Sequence, residues 1–399
     1  HQSAAPMEQM YGMRATAVAD IRPGRAREVL EGGGVAAGDI VDTDDPDTAL
    51  SALDAGRRVA STNPAVTWVE AVDITVEATG IPDIGAHVAY EAILARRHVL
   101  QMNVETDATV GYLLRRMAKS AGVVYTLTAG DEPGTTMELY DFATSLGFDV
   151  ICAGKGKNNP LDRSGNPDTV AARAAEQDMN PKMLASFVDG TKTMVEMTSL
   201  ANAIGFVPDV PGMHGPEVTP KTIADVYRPK AEGGILGSTG VVEYGRGIAP
   251  GVFVVFTTDH PKLAKDLKYL SMGDGPYWAL YRPYHLTSLE TPISIARAVL
   301  KGETTVATDR PPTAETVAVA KRDLKAGETI DALGGFTVYG MIESAANARS
   351  ANQLPLGLAP GGVVTKDVEM GQTLTYTDVQ LDDSSMIRQL RRLQDRDLG

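Results

Sequence analysis

The sequence predicts an α/β fold with a doubly wound parallel sheet, followed by a central α+β domain and a β-rich C-terminal module. Short apolar runs alternate with amphipathic segments from residue 14 to about residue 130, which is typical of parallel strands joined by crossover helices. Glycine-rich turns interrupt residues 131–300, and an eight-residue pattern occurs twice after residue 312. These three observations divide the chain into an α/β half, a less regular centre and a repeat module.

The strands and helices of the first part follow from these patterns. Apolar runs predict strands at 15–19, 74–78, 99–102 and 123–126, and amphipathic segments predict helices at 1–13, 23–31, 45–55, 83–96 and 107–120. No G-x-G-x-x-G turn follows a strand, although dinucleotide folds use that turn to hold a pyrophosphate. We therefore expect a first strand and glycine loop upstream of residue 1; the alternative is an α/β fold that needs no such loop.

The remainder predicts a second domain, a linker and a repeat. The segment VFVVF at 252–256 is a buried strand, a helix is expected at 284–300, and Arg310 to Pro312 form a linker. The residues from Asp323 to Ile330 and from Asp367 to Leu374 share D-[LV]-x-x-G-x-T-[IL], which predicts a turn followed by a strand in each copy. The expected units are 1–135, 136–311, 312–382 and a C-terminal helix at 383–399.

Composition limits the function. The 399 residues are 43% hydrophobic and 22% charged, so a folded multidomain chain is expected. The net charge of −14 argues against nucleic-acid binding, while local lysines can still attract an anionic substrate. The one cysteine, Cys152, excludes a disulfide framework. No transmembrane run or signal peptide is visible, so we expect a cytoplasmic protein without a membrane partner.

Candidate cofactor residues follow the predicted strands. Asp20 closes one strand, where a carboxylate binds the ribose hydroxyls of NAD, whereas the nearby Arg22 leaves NADP open. The turn at Thr79 and Gly80 and the side chain of Asn103 follow two later strands. An ordinary aspartate that precedes a helix is the alternative for Asp20.

The segment from Lys155 to Asn159 carries the strongest chemical signal. Lys155 and Lys157 flank a glycine, and Asn158 and Asn159 follow them. Ammonium and amide donors bind carboxylates or phosphates, and a desolvated lysine polarises a carbonyl oxygen. A solvated basic loop is the alternative.

Two histidines are candidates for proton transfer. His214 lies between Pro211 and Pro216, and His285 follows Arg282 and Tyr284. A histidine in a rigid turn suits acid–base chemistry, and an adjacent arginine and tyrosine can bind a substrate anion. A structural role is the alternative for each histidine.

Acidic residues suggest further contacts. Asp131 and Glu132 end a predicted strand, where paired carboxylates bind substrate or a divalent ion, although the pair also favours a turn before proline. Lys192 and Glu196 either support the site or form a surface pair on a helix. The metal requirement stays open.

Several long segments resemble one family. They lie at 153–160, 192–197, 201–202, 212–216, 231–234, 250–255 and 282–290, together with the repeat at 312–380. The chain resembles the homoserine-dehydrogenase-like oxidoreductases with a C-terminal SAF domain, whose best-described branch is the 1-deoxy-D-xylulose 5-phosphate reductoisomerase-like enzymes. The resemblance implies a Rossmann domain, an active-site domain, a nicotinamide cofactor and a homodimer or homotetramer. Asp20 departs from the basic residues of the NADPH-using branch, so NAD is favoured.

Together these observations predict an NAD(P)-dependent oxidoreductase acting on a small polyhydroxylated anion, a sugar phosphate or a sugar acid. Lys155, Lys157, His214 and His285 are its expected catalytic residues, converging on one pocket, and isomerisation is an open second step. The alternatives are an NAD-dependent sugar-acid dehydrogenase or oxidoisomerase, a homoserine-dehydrogenase-like enzyme, and a non-catalytic sensor that binds a ligand through its SAF domain.

Overall fold

The computed structural model describes residues 3–399, and its first part alternates short strands with helices. Side-chain caps begin several helices: Asp45 accepts from Thr48 N at 2.9 Å, and Asn103 accepts from Thr106 N at 3.3 Å. In chain order the elements are α1 (Ala4–Gln9), β1 (Ala17–Ala19), α2 (Arg25–Gly32), β2 (Ile40–Asp42), α3 (Pro46–Asp54), β3 (Arg58–Ser61), β4 (Ile74–Glu77), α4 (Pro82–Leu94), β5 (His98–Gln101), α5 (Val104–Ala121) and β6 (Tyr125–Leu127).

These strands are parallel as predicted, but they form two sheets of three. The orders are β2-β3-β1 and β4-β5-β6. The expected single sheet is divided because β1 and β4 are edge strands with no hydrogen bonds to each other. The first helix ends at Gln9 rather than continuing to residue 13, and residues 1 and 2 lie outside the described residues. The upstream strand stays a prediction.

The central part contains a mixed five-stranded sheet of order β11-β10-β7-β9-β8. The predicted helix at 284–300 is wrong for its first turns, since α12 begins only at Thr291. The elements are α6 (Glu132–Ser145), β7 (Asp149–Lys157), α7 (Ala171–Glu176), α8 (Pro181–Val188), α9 (Thr191–Ile204), β8 (Val207–Pro208), α10 (Ile223–Val226), β9 (Val241–Arg246), β10 (Val252–Thr257), α11 (Pro261–Tyr269), β11 (Tyr277–Arg282) and α12 (Thr291–Ala296), which a π-helical turn at Arg297–Lys301 extends.

Both faces of this sheet are covered. Helices α6 and α9 pack on one face, where Met197 and Leu200 contact Val242 and Val254. The segment around α10 covers the other face, where Tyr227 stacks on Phe253 with ring centroids 4.8 Å apart. This double coverage explains why β10 is an unbroken apolar run.

The C-terminal part contains the predicted β-rich module. Its elements are β12 (Ala314–Ala320), β13 (Val338–Ser344), α13 (Ala345–Ser350), β14 (Val363–Val364) and β15 (Val379–Gln380), followed by the terminal helix α14 (Met386–Leu398). Strands β12 and β13 pair antiparallel. Helix α14 packs against α4 and α5 rather than completing a sheet.

The approximate two-fold symmetry of the repeat is confirmed. Asp367 accepts a hydrogen bond from Ala326 N at 3.0 Å, and Asp323 accepts one from Met370 N at 2.9 Å. Leu324 and Val368, which are equivalent positions, pair with each other at the axis. Each copy makes isolated β-bridges rather than the full strand expected from the pattern, because the turns leave few residues to extend a ladder.

A buried ion pair joins this module to the central domain. Lys321 Nζ lies 2.7 Å from Asp189 Oδ2 and donates to the carbonyls of Gly165 at 2.6 Å and Gly335 at 2.8 Å. Both charged side chains are at most 2% exposed. Among residues 3–399, no helix combines the length and apolar character needed to cross a bilayer.

Replacing Lys321 by Met should lower the free energy of unfolding by about 3 kcal/mol, because it leaves the buried Asp189 carboxylate without its partner. The matched control is Lys325→Met, which removes an exposed pair with Asp367 and should cost less than about 1 kcal/mol. Urea denaturation of both variants measures the difference. Equal, small losses would contradict the structural role assigned to Lys321.

Candidate active site

A buried lysine between two carboxylates forms the centre of the site. Lys155 projects from β7, Glu132 lies in the first turn of α6, and Glu196 lies in α9. The Lys155 ammonium donates to Glu132 Oε1 and to Glu196 Oε2. All three side chains are at most 11% exposed, so two helices and one strand must align to hold this charge.

Further charged groups extend the cluster. Lys192 Nζ lies 3.8 Å from Glu196 Oε1 and 3.6 Å from Glu105 Oε1, which links α9 to the first turn of α5. The surface alternative for Lys192 and Glu196 is therefore wrong, because Glu196 is 1% exposed and faces the protein interior. Asp131 adds another carboxyl group.

Burial and charge excess shift the protonation of the cluster. Four carboxyl groups face two lysines, so one carboxyl favours its neutral form. Burial, together with the charge of Glu132, raises the pKa of Glu196 to about 7. Burial and Glu132 also raise the pKa of Asp131. For Glu132, burial opposes ionisation, but the charges of Lys155 and His285 outweigh it and lower the pKa.

The carboxylates have the chemistry of cation ligands. Oxygens of Asp131, Glu132 and Glu196 lie within 4.8 Å of one another, a donor set that suits a hard divalent cation. The ammonium of Lys155, however, lies between Glu132 and Glu196. Lys155 thus places a positive charge between two of these three carboxylates.

His285 lies next to the lysine cluster. Its Nδ1 is 2.7 Å from the carbonyl oxygen of Pro250, and its Nε2 is 3.6 Å from Glu132 Oε1. Because the carbonyl can only accept, Nδ1 carries a hydrogen. In the neutral ring, Nε2 is then free to accept a proton beside Glu132.

Lys157 projects from the same face of β7 as Lys155, two residues further along. Its ammonium makes one hydrogen bond, to the carbonyl of Phe187 at 2.7 Å. Burial and the charge of Lys155 lower the pKa of Lys157 to about 8, with smaller contributions from Arg163 and Arg173. Three other cations therefore lie close enough to act on it.

Arg163 and Arg173 complete this cationic group, and the sequence patterns did not single them out. Arg163 stacks over the ring of Tyr339 at 4.7 Å and donates to the Asp189 carbonyl at 3.0 Å. The Nε of Arg173 is buried without a hydrogen-bond partner in the described residues. In sequence both resemble solvated loop arginines, so only the fold reveals them.

Asn158 and Asn159 mark the end of β7. Asn158 is exposed, whereas the side chain of Asn159 accepts a hydrogen bond from Arg173. Asn159 therefore positions an arginine of the cationic group.

The predicted convergence of all candidates on one pocket is wrong for His214. Its Nδ1 lies 2.6 Å from Glu243 Oε1, and Glu243 pairs in register with Gly154. Since side chains alternate along a strand, Glu243 and Lys155 lie on opposite faces of the sheet. The rigid turn around His214 could be predicted from the sequence, but the face of the sheet on which His214 lies could not.

Arg282 and Tyr284 are placed beside the site but engaged with protein groups. Arg282 pairs with Glu290 at 2.6 Å and with Glu138 at 2.9 Å, and it stacks over the Tyr284 ring at 4.7 Å. Two carboxylates already balance its charge, so the predicted clamp on a substrate anion would need these pairs to open. Asn202, which lies in one of the segments that carry the family resemblance, accepts from Thr313 N at 2.8 Å and from Ala314 N at 2.9 Å.

The predicted cofactor residues lie at the carboxyl ends of parallel strands. Asp20 follows β1 and accepts from Arg22 N at 2.9 Å and Arg22 Nε at 3.3 Å. These bonds overcome the opposing effect of burial and lower the pKa of Asp20. A cavity of about 480 Å³ opens beside this point; its lining residues include Pro23, Gly24, Asp42, Ser61 and Thr62.

The second sheet contributes the remaining cofactor candidates. Thr79 N donates to Glu77 Oε1 at 2.6 Å, and Gly80 has a positive φ of 70°, which glycine adopts without strain. Asn103 caps α5, and its Nδ2 is buried without a partner in the described residues. The edge of each sheet is thus suited to a nucleotide, while residues 3–399 contain no glycine-rich phosphate loop of the G-x-G-x-x-G type.

Solved structures with low similarity to the chain were found. Structural neighbours include a probable dehydrogenase from Thermotoga maritima (14% identity, 76% of this chain, 86% of that chain, TM-score 0.42). A 3-ketoreductase from Actinomadura kijaniata has 14% identity, the same two coverages and a TM-score of 0.37. An oxidoreductase from Bacillus cereus has 13% identity, covers 66% of this chain and 81% of its own, and has a TM-score of 0.29.

No curated protein sequence matches the chain. Residues 130–291 match the family model of the catalytic domain of oxidoreductase DRL, and residues 315–380 match the SAF domain. The first match begins beside Asp131 and contains Glu132, Lys155, Lys157 and Glu196, so it covers the whole of the lysine cluster except Glu105. The protein is therefore an oxidoreductase with a C-terminal SAF domain.

Proposed function

We propose that the protein is an NAD(P)-dependent oxidoreductase acting on a small polyhydroxylated anion, either a sugar phosphate or a sugar acid. The observation that supports this most is the pairing of two functions on β7: a proton-holding cluster around Lys155 and a cationic group around Lys157. Both lie within the segment that matches an oxidoreductase catalytic domain.

The cationic group suits the anionic end of a substrate. Lys157 uses one of its three donors on protein, and Arg173 has a buried donor without a partner in the described residues. Desolvated, unsatisfied cationic donors bind carboxylate or phosphate strongly. The surplus positive charge is local, since the whole chain carries −14.

The lysine cluster around Lys155 is suited to exchange a proton at the substrate carbon that changes oxidation state. Lys155 and Lys157 are separated by about 7 Å along the strand, a distance that a substrate of four to six carbons spans. Lys155 donates to the substrate oxygen, and Glu196 or His285 receives the proton that an alcohol releases on oxidation. A carboxyl group whose pKa is about 7 exchanges protons readily at neutral pH.

The cofactor would be held at the carboxyl ends of β1, β4 and β5. Asp20 would bind ribose hydroxyls, and the Thr79–Gly80 turn and Asn103 would line the same edge. The chemistry that a nicotinamide supplies when bound is hydride transfer. The carboxylate of Asp20 would repel a 2′-phosphate, so NAD is the preferred cofactor; Arg22 is already bonded to that carboxylate.

A coupled isomerisation would use the same groups. Acyloin or retro-aldol rearrangement needs a polarised carbonyl and a nearby acid–base pair, which Lys155 and Glu196 provide. Product analysis separates this reductoisomerase or oxidoisomerase reaction from simple oxidation. A rearranged carbon skeleton in the product supports coupled isomerisation, and an unchanged skeleton indicates a simple dehydrogenase.

Titration with NADH and NADPH, followed by an absorbance screen of sugar acids and sugar phosphates, tests the proposed activity. We expect tighter binding of NADH than NADPH, and a smaller preference in Asp20→Ser because the repelling carboxylate is gone. Asp54→Ser, which removes an exposed carboxylate at the end of α3, is the matched control and should leave the preference unchanged. Absence of both cofactor binding and turnover would favour the sensor alternative.

Replacing Glu196 by Gln should lower kcat by about 100-fold, the scale of losing a general base. In the wild type, kcat for oxidation should rise with pH through about 7, because the ionised carboxylate accepts the proton. The variant should lose this inflection. A normal inflection in Glu196→Gln would assign the proton transfer to another group.

Replacing Lys157 by Met should raise KM and lower kcat/KM by about 100-fold, since an ionic contact to the substrate is lost. Wild-type KM should rise above pH 8 as the ammonium loses its proton. Lys157→Arg should keep KM constant over that range because arginine stays charged. Lys182→Met, at an exposed lysine of α8, is the control; an equal effect there would contradict the assignment.

A further inference from the structure

A second polar cavity lies where the SAF domain meets α5 and α14. Its volume is about 280 Å³, and none of its lining residues belongs to the candidate active site. Ala108 contributes from α5, Ala348 from α13, and Gln394 from α14. The space exceeds what one or two water molecules fill, and it is near the lower size of small-molecule pockets.

Two buried polar atoms at this cavity lack partners. The hydroxyl of Tyr376 and the side-chain carbonyl of Gln353 make no hydrogen bond within the described residues, and both side chains line the cavity. Buried polar groups are nearly always satisfied, and each one left unsatisfied costs about 1–3 kcal/mol. A bound group that both donates and accepts would satisfy the two together.

The charges of the cavity wall balance. Arg391 pairs with Glu315 at 2.7 Å and with Asp395 at 2.8 Å. Arg349 also lines the cavity, and its side chain makes no ion pair or hydrogen bond with residues 3–399. Among the charged side chains of the wall, two arginines thus face two carboxylates, so there is no surplus positive charge that would favour an anion over a neutral ligand.

We propose that this cavity binds a neutral polyol of monosaccharide size. A hydroxyl donates to Gln353 and accepts from Tyr376 or Arg349, which is the combination that sugar hydroxyls offer. The site is separate from the oxidoreductase site, so it stands whether or not the proposed reaction is correct.

Ligand-observed saturation-transfer NMR of the full chain with D-glucose and D-xylose tests the site, with gluconate as the charged counterpart. We expect signal from at least one sugar, with weaker binding of gluconate. Tyr376→Phe and Gln353→Met should each weaken sugar binding by about tenfold, equivalent to one lost hydrogen bond. Absence of sugar binding, or tighter binding of gluconate, would overturn the proposal.

The controls separate this site from misfolding and from the active site. Tyr376→Phe removes an unpartnered hydroxyl, so its Tm should not fall. Arg396→Gln changes an exposed arginine of α14 outside the cavity and should leave binding unchanged. Lys157→Met should also retain it; loss of sugar binding in Lys157→Met would assign the signal to the candidate active site and reject the cavity.

Discussion

The burial of Lys155 between Glu132 and Glu196 is the constraint on which the site depends. Carboxylates that lie against a buried ammonium stabilise its charge, and here they come from two different helices. The register of β7, the first turn of α6 and the packing of α9 must therefore agree. The same arrangement buries more carboxyl groups than lysines, so burial and the charge of Glu132 together raise the pKa of Glu196 to about 7. The carboxylates that stabilise the buried lysine thus also provide a group that can exchange a proton.

The two-residue period of a strand places two lysines with different surroundings on one face of β7. Lys155 and Lys157 share one face of β7 and meet different surroundings: the first lies among carboxylates, the second among arginines. The same positive side chain consequently has its pKa raised at one position and lowered at the other. A substrate lying along the strand would place its anion and its reacting carbon in these two environments.

The fold could be predicted from the sequence where the signal was local. The repeat around Asp323 and Asp367 was recognisable because both copies need an aspartate that accepts from the opposite turn. Division of the parallel strands into two sheets was not, since edge pairing depends on residues distant in sequence. The candidate site shows the same limit. A glycine-bounded lysine pair marked β7, whereas Arg163 and Arg173 have no local feature that separates them from solvated arginines, and the turn at His214 gave no indication of the sheet face.

The SAF domain is part of the architecture of the site rather than an appendage. Lys321 bonds to Gly165 and pairs with Asp189, and Tyr339 lies under Arg163. These contacts fix both ends of the segment that carries Arg163 and Arg173. Because a cationic group repels itself, it keeps its geometry only when the surrounding segment is held. The contacts that join the two domains therefore also hold the arginines beside Lys157, so the proposed anion binding would depend on the packing of the SAF domain.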